Sequence, residues 1–254
     1  MDLPKNRFKA ALAEGRQQIG LWCSIPGGGY AEMLATCGYD WILIDCEHAP
    51  IDLGAVQSML QAMAPYPVQP VVRPGWNDPV EIKRLLDIGA QSLLIPYVEN
   101  AEEAARAVAA TRYAPAGFRG VAGLARASRY GSVPDYLNRA AQEICVLVQI
   151  ESLDAVERIE EIAAVEGVDG IFVGPADLSA TMGRPGQLSH PEVRAKIIEA
   201  IKRIRAAGKP AGIVTLDETL LEESVAAGTN FTAVGIDIAV MLKALRDLRA
   251  RWPS

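Results

Sequence analysis

Residues 170–179 read GIFVGPADLS. Ile171, Phe172 and Val173 form a short apolar run, the Gly174-Pro175 pair breaks it, and an acid, Asp177, follows at once. A buried strand that stops in a rigid turn and presents a carboxylate is what a parallel strand with chemistry at its C-terminal end looks like. Seven further runs resemble its first half: QIGLWCS, YDWILIDCE, QPVVRPG, SLLIPYV, CVLVQIE, PAGIVT and FTAVGID. They are near-continuous in Val, Ile and Leu, as expected for strands covered on both faces. Helical patterns separate them. DPVEIKRLLDIG sets Val80, Ile82, Leu85 and Leu86 on roughly one face and stops at Gly89, a C-cap glycine. NAEEAARAVAATRYAP opens with an Asn cap and early acids and ends before Pro115, which suits the helix dipole. HPEVRAKIIEAIKRIRAAG carries Pro191 in its first turn and ends at Gly208. Eight strands alternating with about as many helices predict an α/β protein, a (β/α)8 TIM barrel in preference to a doubly wound sheet.

The chain has 254 residues, 50% hydrophobic and 22% charged, enough for one large core. A single barrel domain spanning 1–254 is expected. One connection is long, residues 114–144, and its end, VPDYLNRAAQE, reads as a short helix. Loops of that length are usually lids, oligomer arms or disordered. The net charge of −6, with no Lys/Arg run, speaks against a nucleic-acid partner. The charged N-terminus lacks the apolar region of a signal peptide. No apolar run approaches the roughly 18 residues of a membrane span. The cysteines, Cys23, Cys37, Cys46 and Cys145, form no C-x-x-C pair and read as reduced thiols of a cytoplasmic protein.

Chemistry in such a barrel sits at the C-terminal ends of the strands. There the sequence places Asp45, Glu47 and His48 after strand two, Arg73 after strand three, Gln149 and Glu151 after strand five, Asp177 after strand six and Asp237 after strand eight. Any one of these is as readily an ordinary strand end meeting water; their convergence on one rim is not. Glu151 and Asp177 follow adjacent strands, so their hard oxygens could share a divalent cation. With no His or Cys beside them, Mg²⁺ or Mn²⁺ suits them better than Zn²⁺. The open positions would take a chelating 2-oxo acid. Gly174, Pro175 and Ala176 can bring the N–H groups of Ala176 and Asp177 to a bound carboxylate, although a Gly-Pro pair alone reads as an ordinary turn. No lysine ends a predicted strand, so carbonyl chemistry here would use a metal, not a Schiff base. His190 precedes Pro191 at a helix start and reads as a cap. His48 has the position of a general base. Asp45 is its local acid; Asp87 could reach it only if its helix end folds over the rim, and spacing does not choose between them.

LIDCEHAP, QPVVRPGWNDP, VLVQIES and GVDGIFVGPADLSATMG together resemble the HpcH/HpaI aldolase family, from about Asn6 to Trp252. The resemblance implies a barrel of the phosphoenolpyruvate/pyruvate type and a metal-dependent (class II) pyruvate aldolase. Such an enzyme cleaves 4-hydroxy-2-oxo acids to pyruvate and an aldehyde, such as succinate semialdehyde in aromatic catabolism, and runs the reverse addition. It implies Glu151 and Asp177 as ligands for Mg²⁺, Mn²⁺ or Co²⁺, no organic cofactor, Arg73 holding the enolate, His48 as base and Asp87 raising its basicity. Gln149 and the backbone at Ala176 would bind substrate. It also implies a homohexamer, a trimer of dimers that exchange the last helix. Aldehyde contacts are expected around Trp22 to Gly29 and Arg119 to Tyr130, within the chain or across a subunit boundary, with Arg126 and Arg129 equally readable as carboxylate ligands or interface residues. Two departures stand out: Cys46, where the family pattern has Gly, and IPGGGY in place of a serine-rich turn. A sugar-acid (2-keto-3-deoxy acid) aldolase, a CoA-ester lyase and a non-enzymatic barrel are the competing readings. The CoA-ester lyase would need a basic cluster for the nucleotide phosphates that the sequence does not show.

Overall fold

The computed structural model describes residues 1–252. Strands β1 (Gln18–Cys23), β2 (Trp41–Asp45), β3 (Gln69–Arg73), β4 (Ser92–Ile95), β5 (Cys145–Ile150), β6 (Gly170–Val173), β7 (Ala211–Val214) and β8 (Phe231–Ile236) each pair with the next. All are parallel, and β8 returns to β1 to close the barrel. Closure is the point that alternation of elements left open. Helices α1 (Arg7–Ala13), α2 (Gly28–Ala35), α3 (Leu53–Met63), α4 (Pro79–Asp87) and α5 (Ala101–Ala110) serve the first half. The second half has α6 (Tyr136–Arg139), α7 (Leu153–Glu157), α8 (Ile159–Ala163), α9 (Pro175–Thr181), α10 (Pro191–Ala206), α11 (Glu218–Ala227) and α12 (Asp237–Ala250). Among the described residues no helix is long and apolar enough to cross a membrane.

The caps explain where the helices begin. Asp78 accepts from the N–H groups of Val80 and Glu81, with Pro79 already set for a first turn. Asn100 accepts from the N–H of Glu103. His190 Nδ1 accepts from the N–H of Glu192, the capping role its place before Pro191 suggested.

Alternating strand side chains face two cores. Outward residues such as Ile42, Ile44, Val72 and Val148 pack under the helices. Inward residues build a column of rings along the barrel axis. Phe8 of α1 plugs the N-terminal mouth, 5.7 Å from Trp41 and 6.0 Å from Phe231. Phe231 meets Phe172 at 5.8 Å, and Phe172 meets Trp22 at 5.5 Å. Glycines make room for this column. A Cβ at Gly20 would overlap the Trp41 indole, and one at Gly212 would overlap the Phe231 ring.

The helices that follow the strands carry the chain back from the C-terminal rim to the N-terminal mouth. The connection after α5 therefore starts at the mouth and must feed Cys145, which is also there. It stays there throughout. A bridge joins Tyr113 to Arg119, a 3-10 turn covers Arg126–Ser128, and a second, Ala140–Glu143, follows α6. Arg126 donates to the carbonyl of Ile88, and Glu143 accepts from Lys5. The expectation that Arg119 to Tyr130 contact the aldehyde is thus not met within one chain. α12 is a further exception to compact packing: beyond Asp237 it leaves Ile238, Val240, Met241, Leu242, Leu245 and Leu248 exposed.

Overpacking a filled core costs about 1–3 kcal/mol. Gly212→Ala is expected to lower unfolding stability by that amount in urea denaturation. Gly29→Ala, where an added methyl meets nothing within 4 Å, is expected to stay within about 0.5 kcal/mol of the parent.

Candidate active site

Parallel register sets Asp45 at the end of β2 directly beside Arg73 at the end of β3. Both are buried. Arg73 Nε donates to Asp45 Oδ1 at 3.0 Å and Nη2 to Oδ2 at 2.7 Å, a two-pronged contact. Its remaining nitrogen, Nη1, lies 2.8 Å from Glu47 Oε2. The guanidinium sits 4.7 Å above the Trp22 ring, at the top of the aromatic column. Trp22 in turn donates its indole N–H to Asp45 Oδ2 at 3.1 Å.

Asp45 also accepts from the N–H groups of Glu47 and His48. Burial pushes its carboxyl up, but the bonds and charge of Arg73, with Trp22 and the Glu47 N–H, outweigh that and hold it below the usual carboxylate range. An acid so fully engaged anchors Arg73 and shapes the turn that carries His48. It does not bond the imidazole. The His48 side chain is 65% exposed, and its nearest acid is Glu47, Oε1 lying 3.8 Å from Nε2.

Asp87 is not brought to His48 either. It closes the last turn of α4 at the N-terminal mouth, where its carboxylate takes the buried Arg119 guanidinium at 2.7 Å. The reason is directional: α4 leaves the rim at Pro79 and ends one turn short of β4. The expected pairing of Asp87 with His48 is therefore absent within a single chain.

The opposite wall of the rim is acidic. Glu151 follows β5 and is almost wholly buried. Its Oε1 accepts from the Tyr97 N–H at 2.8 Å and its Oε2 from Gln149 Nε2 at 2.6 Å. Burial pushes its carboxyl up to about 7; those two bonds oppose the shift, and Glu47 and Asp177 reinforce it. Glu47 is likewise raised, by burial first, against the pull of Arg73. Gly174 has a packing role here: a Cβ would stand 2.6 Å from Glu151 Oε2. Gly174-Pro175 is the N-terminus of α9, with Gly174 as cap and Pro175 in the first turn. The N–H groups of Ala176 and Asp177 thus belong to a first helical turn, where no intrahelical acceptor exists. Asp177 Oδ1 accepts from the Tyr97 hydroxyl at 3.0 Å.

Glu47, Glu151 and Asp177 act on one another electrostatically while Arg73 is already committed to Asp45. That excess of negative charge fits a hard cation. Among the described residues no three His, Cys, Asp or Glu side chains converge on one point, so Glu151 and Asp177 suit an ion that keeps water or substrate as its other ligands, as Mg²⁺ does. Gln149 Oε1 is buried with no partner and is available to a ligand.

Other expected residues have structural duties. Asp237 accepts from the N–H groups of Ser24, Ile25 and Ile238 and pins the turn after β1. Gly27, at φ +128°, precedes α2, and Gly28 lets α2 approach Ser58 of α3. Cys46 is half-buried, and burial beside Glu81 and Asp45 pushes its thiol up to about 12, far from a reactive thiolate. Sequence reasoning passed over Tyr97, which follows a Pro and belongs to no motif, and gave Glu47 no role beyond its place on the rim.

A closed parallel barrel that gathers an arginine fork and paired carboxylates at its C-terminal rim defines a TIM-barrel enzyme with its chemistry at that rim. Residues 18–244 match the model of the HpcH/HpaI aldolase/citrate lyase family, and the chain belongs to that family. It is 57% identical over 252 residues to a hydroxypyruvate/pyruvate aldolase of Sagittula stellata, covering 99% of this chain and 100% of the relative. It is 55% identical over 249 residues to a 4-hydroxy-2-oxo-heptane-1,7-dioate aldolase of Escherichia coli, covering 98% and 95%. A crystal structure of a family protein from Burkholderia cenocepacia superposes with a TM-score of 0.93 at 39% identity, over 97% of this chain and 99% of that one. The protein is an aldolase, a carbon–carbon lyase.

Arg73→Lys keeps the charge and loses the planar fork. A fall in kcat of at least about 10²-fold is expected, the scale for removing one oxyanion donor. Wild-type kcat in a pyruvate-release assay would reduce Arg73 to a structural ion pair.

Proposed function

We propose that the enzyme cleaves 4-hydroxy-2-oxo acids to pyruvate and an aldehyde with the help of a divalent cation, and catalyses the reverse addition. The observation that carries this reading is the charge arrangement of the rim. An arginine locked on Asp45 shares the rim with two acids, Glu151 and Asp177, that have no cationic partner among the described residues. The similarity to aldolases of pyruvate and of a 4-hydroxy-2-oxo diacid supports the substrate class. Succinate semialdehyde is the aldehyde we propose.

Glu151 and Asp177 would hold Mg²⁺, Mn²⁺ or Co²⁺, which supplies Lewis acidity at the 2-oxo oxygen. The N–H groups of Ala176 and Asp177 receive the substrate carboxylate. The free Gln149 Oε1 accepts a hydrogen bond from a hydroxyl or a water beside it. His48 takes the proton of the C4 hydroxyl. The C3–C4 bond then breaks, the aldehyde leaves, and the electron pair moves through C2 to the oxo oxygen. Arg73 shares the resulting enolate charge through Nη1, and a proton delivered to C3 completes pyruvate. Glu47, beside both Arg73 and the His48 ring, links the enolate side of the site to the base.

The bare apolar stripe of α12 supports an assembly in which copies exchange that helix, and we propose a homohexamer. In such an assembly Asp87 acts on His48 only where one protomer's N-terminal mouth meets another's rim. The compartment we propose is the cytoplasm, where free thiols such as the exposed Cys37 persist.

Excess EDTA is expected to abolish pyruvate release, and Mg²⁺, Mn²⁺ or Co²⁺ to restore it. Full turnover after the metal is shown to be gone refutes the metal. His48→Ala is expected to lose at least about 10²-fold in kcat; a near-wild-type value removes His48 from the proton transfer.

A further inference from the structure

Among the described residues Tyr97 alone donates a hydrogen bond to both acids of the proposed cation site. β4 ends at Ile95, Pro96 offers no N–H, and the Val98 N–H donates to the Gln149 carbonyl at 3.0 Å. Between these fixed points Tyr97 adopts φ +51°, the left-handed region that side-chain-bearing residues seldom occupy. In that conformation its two donors serve two different carboxylates. The backbone N–H reaches Glu151 Oε1 at 2.8 Å, and the hydroxyl reaches Asp177 Oδ1 at 3.0 Å. Trp76, on the turn after β3, lies 5.4 Å from the phenol ring and backs it.

Packing alone does not account for this. A phenylalanine would fill the same space against Trp76, yet the residue carries a hydroxyl aimed at an acid. The consequence lies in which oxygens remain free. With Oδ1 held by the phenol, Asp177 accepts through Oδ2 from no protein group among the described residues. Glu151 has one lone pair of each oxygen engaged, by Tyr97 and by Gln149, and one of each left.

We propose that Tyr97 is a positioning residue that locks Glu151 and Asp177 in a shared orientation, so that Asp177 turns its unbonded Oδ2 toward a divalent cation. The inference rests on the metal reading above. Outer partners of this kind orient ligands, and their loss typically costs 10–100-fold in metal affinity.

Tyr97→Phe keeps the ring, the backbone N–H and the contact with Trp76 and removes only the hydroxyl. Wild type and variant are titrated with Mn²⁺ by calorimetry, and the bound ion is compared by electron paramagnetic resonance. The Mn²⁺ Kd is expected to rise at least about tenfold, and the spectrum to change as the freed Asp177 turns both oxygens to the ion. Equal Kd values and superimposable spectra overturn the proposal. A wild-type protein that binds no Mn²⁺ overturns the metal reading itself, so the two failures are distinct. The same substitution made on Asp177→Asn is a second check. There, loss of the hydroxyl should change Kd by less than about twofold, because the partner is already altered. A full tenfold change in that background would place the hydroxyl's effect elsewhere and overturn the assignment to Asp177.

Discussion

A guanidinium buried at the centre of a barrel rim is the constraint that organises this protein. Taking such a charge out of water is costly unless it is paired and hydrogen-bonded. Arg73 meets that demand in three directions: Asp45 through two nitrogens, Glu47 through the third, and the Trp22 ring below. Asp45 is fixed in return by the Trp22 indole and by two backbone N–H groups. Breaking a buried pair of this kind by removing one partner typically costs about 3–5 kcal/mol. The network is therefore rigid, and its rigidity reaches down the barrel, because Trp22 rests on Phe172, Phe172 on Phe231, and Phe231 on Phe8 at the far mouth.

The same pairing defines what the rim can do. Once Arg73 has taken Asp45 and Glu47, Glu151 and Asp177 have no cationic side chain beside them among the described residues. Burial and mutual repulsion raise the Glu151 carboxyl, a situation that a divalent ion relieves. A positive centre on one side and an unneutralised acidic pair on the other suit chemistry in which an oxo oxygen gains charge and a hydroxyl loses a proton.

The barrel also separates duties by direction. The helices that follow the strands return the chain to the N-terminal mouth, so their C-terminal ends and the long 114–144 connection gather there. Asp87, Arg119 and Arg126 all belong to that end. Their contacts within the chain are structural, and any part they take in catalysis has to come through contact between protomers. The bare apolar stripe of α12 and the polar rim thus pose different problems, one of assembly and one of reaction.

Much of this was legible in the residues. Apolar runs ending in Gly, Pro and charge placed Arg73, Glu151 and Asp177 at strand ends, and the Asn100 cap and the Gly89 stop marked helix ends. These are local signals, set by backbone propensity and by the period of burial. The place after β2 suggested His48 as a base and the family resemblance paired Asp87 with it, but neither showed that Asp87 meets Arg119 at the other mouth within one chain, because that depends on which end each helix reaches. Nor could the sequence show that Tyr97 would bridge two acids, since that takes a left-handed backbone and three strands brought together. The order of elements along the chain was thus enough to favour a barrel and to place its reactive rim, while closure rests on the pairing of β8 with β1. Which acid binds which donor was settled only in three dimensions, because strand register and chain direction decide which oxygens meet.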